Sequence, residues 1–145
     1  MLPPNLPVGA TNSCMATLVN PQATKAAIER ILIDALEATV ADLAVAFRGL
    51  IESAVYAWPN ETRRVNGQIV TSPRDIVDLG TFRDSQRTAR LSRSVFQFVW
   101  DVQYAAYIYY GYRTLTGQQL PGRDWITPAV RDLTAQFARE VARRV

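Results

Sequence analysis

The side chains able to move a proton or hold a metal are few and scattered along this chain. There is no histidine among the 145 residues, which removes the commonest general base and the commonest metal ligand. The single cysteine, Cys14, cannot close an internal disulfide or a structural zinc site, and reads as a free thiol of a reducing cytosol. What remains are the carboxylates Asp75, Asp78, Asp84, Asp101 and Asp124, the tyrosines and Lys25. Asp75 and Asp78 are close enough in sequence to share a divalent cation. Helix capping and ion pairing with Arg74 and Arg83 is the simpler reading of the same residues. No P-loop, dinucleotide fingerprint, Cys/His cluster or internal repeat accompanies them. The pattern leads to the expectation of a non-enzyme, with no catalytic, metal or cofactor site.

Chemistry of contact is better represented. Of the sixteen cationic side chains all but Lys25 are arginine, and the net charge is +3. Codon bias in a GC-rich genome would give that usage. So would an Arg-rich contact surface, because guanidinium groups pair in plane with carboxylates and phosphates and gather at interfaces. Arg83, Arg87, Arg90 and Arg93 recur at steps of three and four. On a helix they would form a basic ridge able to meet phosphates, with tyrosines available to stack on bases. Asp75, Asp78 and Asp84 lie close by and dilute that field, which favours a solvated ridge or one pairing with a neighbour's acids. Five of the nine residues from Tyr104 to Tyr112 are tyrosine. A polar loop then leads to Gly122-Arg123-Asp124-Trp125-Ile126. Such a cluster suits a surface that packs and adheres.

The elements that must position these residues follow from periodicity and punctuation. Hydrophobic residues are 48% and charged residues 20% of the chain, enough apolar content for a core in one domain and against wholesale disorder. No charge-free apolar run reaches about 18 residues, so no membrane-spanning helix is expected. Met1 to Ala10 carries neither the basic region nor the apolar segment of a secretory signal. Residues 1–19, with Pro3, Pro4, Pro7 and Gly9, read as an extended N-terminal arm, either a loose tail or a strap docking on a neighbouring subunit. Only Leu2, Leu6, Val8 and Leu18 offer it anything to bury. Residues 20–145 read as a single domain.

Asn20 as N-cap and Pro21 at the first helical position open a long helix. Its apolar stripe is Ile28, Leu32, Leu36, Val40, Leu43, Phe47, Leu50 and Ala54, opposite Glu29, Arg30, Asp34, Glu37, Asp42 and Glu52. If Pro59 stops it, about 37 residues would span roughly 55 Å, more than a globule of this size can cover. A kink at Gly49, or packing of part of the stripe on another chain, would resolve the excess. The small residues Ala35, Ala38, Ala41 and Ala44 would permit close helix approach.

Asn66-Gly67 between short β-prone pieces predicts a hairpin with Arg63 and Arg64 at its base, solvated or projecting onto a partner or into a channel. Gly80 predicts a sharp turn before a short helix capped by Thr81, with Asp84 three residues on favouring the same start through the dipole. Phe96, Phe98, Trp100 and Val102 alternate with Val95, Gln97, Val99 and Asp101, the clearest strand in the chain. Residues 104–110 fit either a strand or a short helix closed by Gly111, and two alanines favour the helix. After a loop with Gly117, Pro121 and Gly122, Thr127 as N-cap and Pro128 open a final helix to about Arg144. Its stripe is Val130, Leu133, Phe137 and Val141, and Arg139, Arg143 and Arg144 suit its C-terminal end. The expected fold is α+β: an extended arm, a long N-terminal helix, a small antiparallel β-sheet, and a C-terminal helix packed on the sheet.

The order of elements and two motifs resemble the neck proteins of tailed bacteriophages, the head–tail joining or tail-completion family. That family follows its long helix with Asp-Thr-Gly-x-Leu-Arg-x-Ser. The matching residues are Asp78, Gly80, Arg83 and Ser85, with Leu79 and Phe82 where the family has Thr and Leu. A strand and a Tyr-Ala-x-Tyr-x-x-x-Gly segment come next, matched by Tyr104, Ala105, Tyr107 and Gly111. An aromatic residue and a proline then precede the last helix, echoed by Trp125, Pro128 and Ala129. The resemblance covers residues 20–145. It implies a structural virion protein, assembled in the host cytoplasm, that forms a homo-oligomeric ring in the neck. Six or twelve copies would match a tail or a portal. The implied partners are portal, adaptor or head-closure proteins on one side and tail terminator or tail proteins on the other, with DNA only as passing cargo in the lumen and no membrane. The alternatives are a nucleic-acid-binding accessory protein using the Arg83–Arg93 ridge and a small metal-dependent enzyme using Asp75 and Asp78.

Overall fold

The computed structural model describes residues 20–145. The expected arm over 1–19, and Cys14 within it, lie outside the described residues. The architecture is α+β. Helix α1 runs Pro21–Glu52, 32 residues or about 48 Å. Its start is as expected: the Asn20 side chain accepts hydrogen bonds from the Gln22 and Ala23 amides at 3.0 and 3.3 Å. Its end comes earlier than Pro59. Ser53 turns to extended geometry, and Tyr56 and Arg74 exchange both backbone hydrogen bonds, at 3.1 and 3.0 Å. The Ile76 amide then donates to the Ile51 carbonyl at 3.1 Å. Pairing with a segment some twenty residues downstream therefore ends the helix, not the proline.

The buried stripe of α1 is Ala35, Thr39, Leu43, Phe47 and Ile51. These are strict steps of four, the ridge along which helices commonly pack. The expected stripe holds at Leu43 and Phe47 and fails toward the N-terminus, where Ile28 and Leu32 are 52% and 41% exposed. Thr39 can be buried because its hydroxyl donates to the Ala35 carbonyl at 2.8 Å.

The β-structure consists of three separate antiparallel ribbons: β1 (Thr62–Arg63) with β2 (Ile69–Val70), β3 (Gln86–Ser92) with β4 (Val95–Trp100), and β5 (Gly111–Arg113) with β6 (Gln119–Pro121). The Asn66-Gly67 hairpin forms, but only Gly67 takes a positive φ, +87°. Its amide donates to the Arg64 carbonyl at 2.9 Å and the Arg64 amide to the Gln68 carbonyl at 2.8 Å. This is a type I turn followed by a left-handed glycine. The same bonds recur at Thr114–Gln118 with Gly117 at φ +84°, a hairpin where the sequence suggested a plain loop.

Strand β4 turns Phe96, Phe98 and Trp100 inward and Val95, Gln97 and Val99 outward. Phe98 and Trp100 meet the Phe47 ring edge-on at 5.0 and 5.3 Å. The helical ridge considered for Arg83–Arg93 does not form. Only Arg83 is helical, in α2 (Thr81–Asp84); Arg87 and Arg90 lie on β3 and Arg93 in the β3–β4 turn. The apolar strand after this segment recruits it as an antiparallel partner, overriding the helical spacing of its arginines.

Residues Ala105–Tyr110 are helical, as α3. The final helix is broken into α4 (Thr127–Val130) and α5 (Leu133–Ala142) at Asp132, whose φ and ψ are −106° and 17°. Both segments pack on α1, so the C-terminal helix rests more on α1 than on strands. Between them lies the core: Leu43, Phe47, Ile51, Tyr56, Ile76, Phe82, Trp125 and Ala129. No helix among the described residues is long and apolar enough to cross a membrane.

Gly49 and Gly122 give opposite expectations on alanine substitution. Gly49 sits on the exposed side of α1 and a Cβ there would have no neighbour within 4 Å. Gly49→Ala should raise stability by about 0.5–1 kcal/mol. A Cβ at Gly122 would come under 3 Å from the Tyr109 and Tyr110 backbone, where α3 crosses the base of β6. Gly122→Ala should lower stability by about 2 kcal/mol or more. Urea unfolding of the two variants beside the parent checks both signs.

Candidate binding cleft

The motif residues Asp78, Gly80, Arg83, Tyr104 and Tyr107 line one cleft of about 660 Å³. The turn Asp78-Leu79-Gly80 forms one wall. Gly80 adopts φ +85°, where a side chain is strained, and a Cβ there would lie 2.9 Å from Arg83 Nη2 and 3.1 Å from Asp84 Oδ2. The glycine thus leaves room for an ion-pair cluster beneath it. Arg83 Nη1 donates to Glu52 Oε1 at 3.0 Å and its Nε to Asp84 Oδ1 at 2.8 Å. Arg48 reaches Asp84 from α1. The hydrogen bond from Arg83 holds the Asp84 carboxyl below the usual carboxylate range. These bonds fasten α2 to the C-terminal end of α1.

Asp75 and Asp78, considered as metal ligands, dock the first hairpin. Asp75 Oδ1 accepts from Arg64 Nη2 at 2.5 Å and from the Val77 amide at 2.8 Å. Asp78 Oδ1 accepts from the Val65 amide at 3.1 Å. Among the described residues no group of three or more Asp, Glu or Cys side chains gathers as a metal ion would require. The remaining arginines of the expected ridge face their own chain's acids. Arg87 pairs with Asp101 at 3.6 Å, Arg90 with Glu37 at 2.6 Å and Arg93 with Glu29 at 3.2 Å. Exposed pairs of this kind contribute about 0–1 kcal/mol each. The Arg90 and Arg93 pairs lay the β3–β4 ribbon along the N-terminal half of α1, whereas Arg87 pairs within the ribbon's own base.

The other motif residues lie elsewhere. The Ser85 hydroxyl donates to the Phe82 carbonyl at 2.7 Å and closes α2. Gly111, at φ +81°, lets α3 pass directly into β5, where a Cβ would collide with Leu120 and Gly122 backbone. Trp125 is 2% exposed, a core residue and not an adhesive one. The tyrosine cluster divides likewise. Tyr109 packs edge-on to Trp125 at 5.3 Å, whereas Tyr104 and Tyr107, on the cleft wall, are 42% and 60% exposed.

A second wall was not visible in the sequence. Arg74 and Arg123 each place Cζ 3.6 Å from the centroid of the Trp58 ring. Two guanidinium groups that close to one indole overlap if they share a face, so they sandwich it. The two cations are thereby held about 7 Å apart, where repulsion is about 2 kcal/mol at an effective dielectric near 20. Stacking on the indole offsets part of that. Both residues are buried, at 9% and 3% exposure. Burial pushes both guanidinium groups below their ordinary pKa; the Arg64 charge adds to the effect on Arg74, while the Asp75 charge opposes it. Nε and Nη1 of Arg74 and Nε and Nη2 of Arg123 are shielded from solvent without a hydrogen-bond partner among the described residues. Only the backbones anchor them, Arg74 to Tyr56 and the Arg123 amide to the Ile108 carbonyl at 2.9 Å. Positions 58, 74 and 123 share no spacing or motif, and nothing local marks them as partners.

Asp124 secures the adjoining turn. Its Oδ1 accepts from the Ile126 and Thr127 amides, both at 2.9 Å, bracing the turn into α4; Ile126 and not the expected Thr127 stands at the cap position. Burial pulls its carboxyl upward, but hydrogen bonds from Thr127, Ile126 and Tyr109 outweigh this and hold it below the usual range. The Tyr56 phenol is pushed up to about 12 by burial and by the Asp124 charge. Its hydroxyl donates to the Leu50 carbonyl at 2.9 Å.

Comparison with protein-family models, with curated proteins and with solved structures found no match to this chain.

The Asp124 carboxyl titrates lower folded than unfolded, so its contribution to stability is present above its ordinary value of 3.8 and is lost as pH falls through the lower folded value. Asp124→Asn keeps the acceptor oxygen and removes the charge. Unfolding free energy should therefore fall less steeply with acidification in the variant than in the parent, from about pH 5 downward. Denaturant titrations at a series of pH values measure the two slopes; equal slopes would contradict this assignment.

Proposed function

We propose that this chain is a structural subunit of a bacteriophage neck, a head–tail connector. It forms a ring between the portal or adaptor assembly and the tail, around the DNA channel. The observation that carries the reading is the exposed apolar side chains on the N-terminal half of α1 and its attached ribbon. The buried residues of α1 begin only at Ala35, leaving Ile28 and Leu32 exposed. The β3–β4 ribbon beside it exposes Leu91 and Val95, at 62% and 47%, and pairs with no other strand among the described residues. Apolar side chains and unpaired ribbon edges on one extension are what a second copy can cover. Closing a ring requires that this patch meet a different patch on the next subunit. The exposed Tyr107, Tyr110 and Tyr112 are of the type that dominates contact energies at interfaces. The motif residues at Asp78–Ser85 and Tyr104–Gly111 support the family assignment through their order in the chain. The reading places the protein in the virion, with neck proteins as partners and no chemical step.

The accessory nucleic-acid reading is weakened by the pairing of Arg83, Arg87, Arg90 and Arg93 with Glu52, Asp101, Glu37 and Glu29. Phosphates would have to displace those carboxylates.

Light scattering with mass determination should find a ring-sized oligomer, or a monomer that assembles only when neck partners are added. The triple variant Ile28→Glu, Leu32→Glu, Leu91→Glu should keep the parent's circular dichroism and melting temperature while losing assembly. A chain that stays monomeric with neck partners and binds duplex DNA tightly, with strong salt dependence, would sink the connector reading in favour of the nucleic-acid one.

A further inference from the structure

We propose that the Arg74–Trp58–Arg123 sandwich is a binding site for a carboxylate carried on an acidic, partly apolar peptide segment of a partner protein. The sandwich lines the same cleft as the Asp78–Arg83 turn and the tyrosines. Two cations are fixed there at 3.6 Å from one indole with no carboxylate partner among the described residues. Every other arginine of the cleft wall has one or is tied to backbone: Arg83 to Glu52 and Asp84, and Arg113 through Nε to the Gly117 carbonyl at 3.2 Å. Burying two neighbouring cations without an acid is costly, and an anion arriving from outside would offset that charge. Arg74 Nη2 and Arg123 Nη1 are absent from the solvent-shielded, unpartnered atoms and make no hydrogen bond among the described residues. They are the donors open to such an acceptor.

The rest of the lining defines what carries the anion. Leu79, Phe82 and Ile108 provide an apolar floor, and Tyr104 and Tyr107 an amphipathic wall. An occupant with an apolar body and a single anionic head fits that division. A nucleic-acid strand presents a row of phosphates and needs a row of free cations. The arginines leading away from the cleft, Arg87, Arg90 and Arg93, are already paired within the chain. The charge pattern therefore selects one carboxylate on a polypeptide over a phosphate backbone. The site does not depend on ring formation, and a monomer would bind the same ligand.

The test uses the full chain and follows the indole N–H resonance of Trp58, whose Nε1 is buried without a partner. The probes are a capped Phe-Glu peptide, its Phe-Gln counterpart, inorganic phosphate and a short DNA duplex. We expect a saturable shift with Phe-Glu and at least tenfold weaker binding of Phe-Gln. Arg123→Met, matched in length, should melt at or above the parent's temperature, because a like-charge contact is relieved, and should bind Phe-Glu at least tenfold more weakly. Tyr107→Ala changes only an exposed wall residue, and should weaken Phe-Glu several-fold with an unchanged melting temperature. If Arg123→Met does not fold, that variant decides. Equal binding of Phe-Glu and Phe-Gln, stronger binding of phosphate or DNA than of Phe-Glu, or no saturable shift up to roughly 10 mM would each overturn the proposal.

Discussion

The structure depends on the burial of Trp125. Its ring meets three aromatic side chains edge-on: Phe82 at 4.9 Å, Trp100 at 5.3 Å and Tyr109 at 5.3 Å. Each contact belongs to a different short element, α2, β4 and α3. Such pairs contribute about 0.5–1.5 kcal/mol each beyond the area they bury. Their larger effect is to give a common anchor to pieces that cannot stand alone. A two-stranded ribbon is marginal in water by itself, and the described residues form three of them and no larger sheet. Phe47 completes the anchor, because it touches Phe98 and Trp100 and so ties the aromatic cluster to the long helix. The helix supplies length and the cluster supplies the point where everything else attaches.

Arginine does three different jobs around that anchor. On the surface, Arg90 and Arg93 bind the β3–β4 ribbon to Glu37 and Glu29 of α1. At the junction of α1 and α2, Arg83 shares Glu52 and Asp84. In the cleft, Arg74 and Arg123 are buried against Trp58 with no acid at all. The last two jobs suit arginine better than lysine. Planar stacking on an indole, and sharing one cation between two carboxylates, both use the flat fork of donors that an ammonium group lacks.

The sequence was readable where a short stretch carries its own geometry. Asn20-Pro21 marked the start of α1, Phe96-x-Phe98-x-Trp100 marked β4, and Gly80 and Gly111 marked turns that only glycine tolerates. It misled where a distant partner decides. The end of α1 depends on Tyr56 pairing with Arg74. The steps of three and four among Arg83–Arg93 resemble a helix until the neighbouring apolar strand pairs with that segment. Two hairpins share one turn geometry, yet only the one with Asn-Gly was recognisable, because Thr116-Gly117 carries a weaker local signal than Asn66-Gly67.

The motif residues show the same division. Asp78, Gly80, Arg83, Tyr104 and Tyr107 meet at one cleft, a meeting their motifs did not announce, because the β3–β4 ribbon lies between the two segments and brings them back together. Ser85, Gly111 and Trp125 serve the fold instead. Composition, periodicity and capping residues determined by themselves that this is an α+β domain led by a long amphipathic helix, because those signals act over a few bonds. Only the tertiary structure decided which of that helix's apolar residues are buried, and that Trp58, Arg74 and Arg123 come together. Burial and stacking between residues far apart in the chain depend on how every intervening segment packs, and no local pattern encodes that.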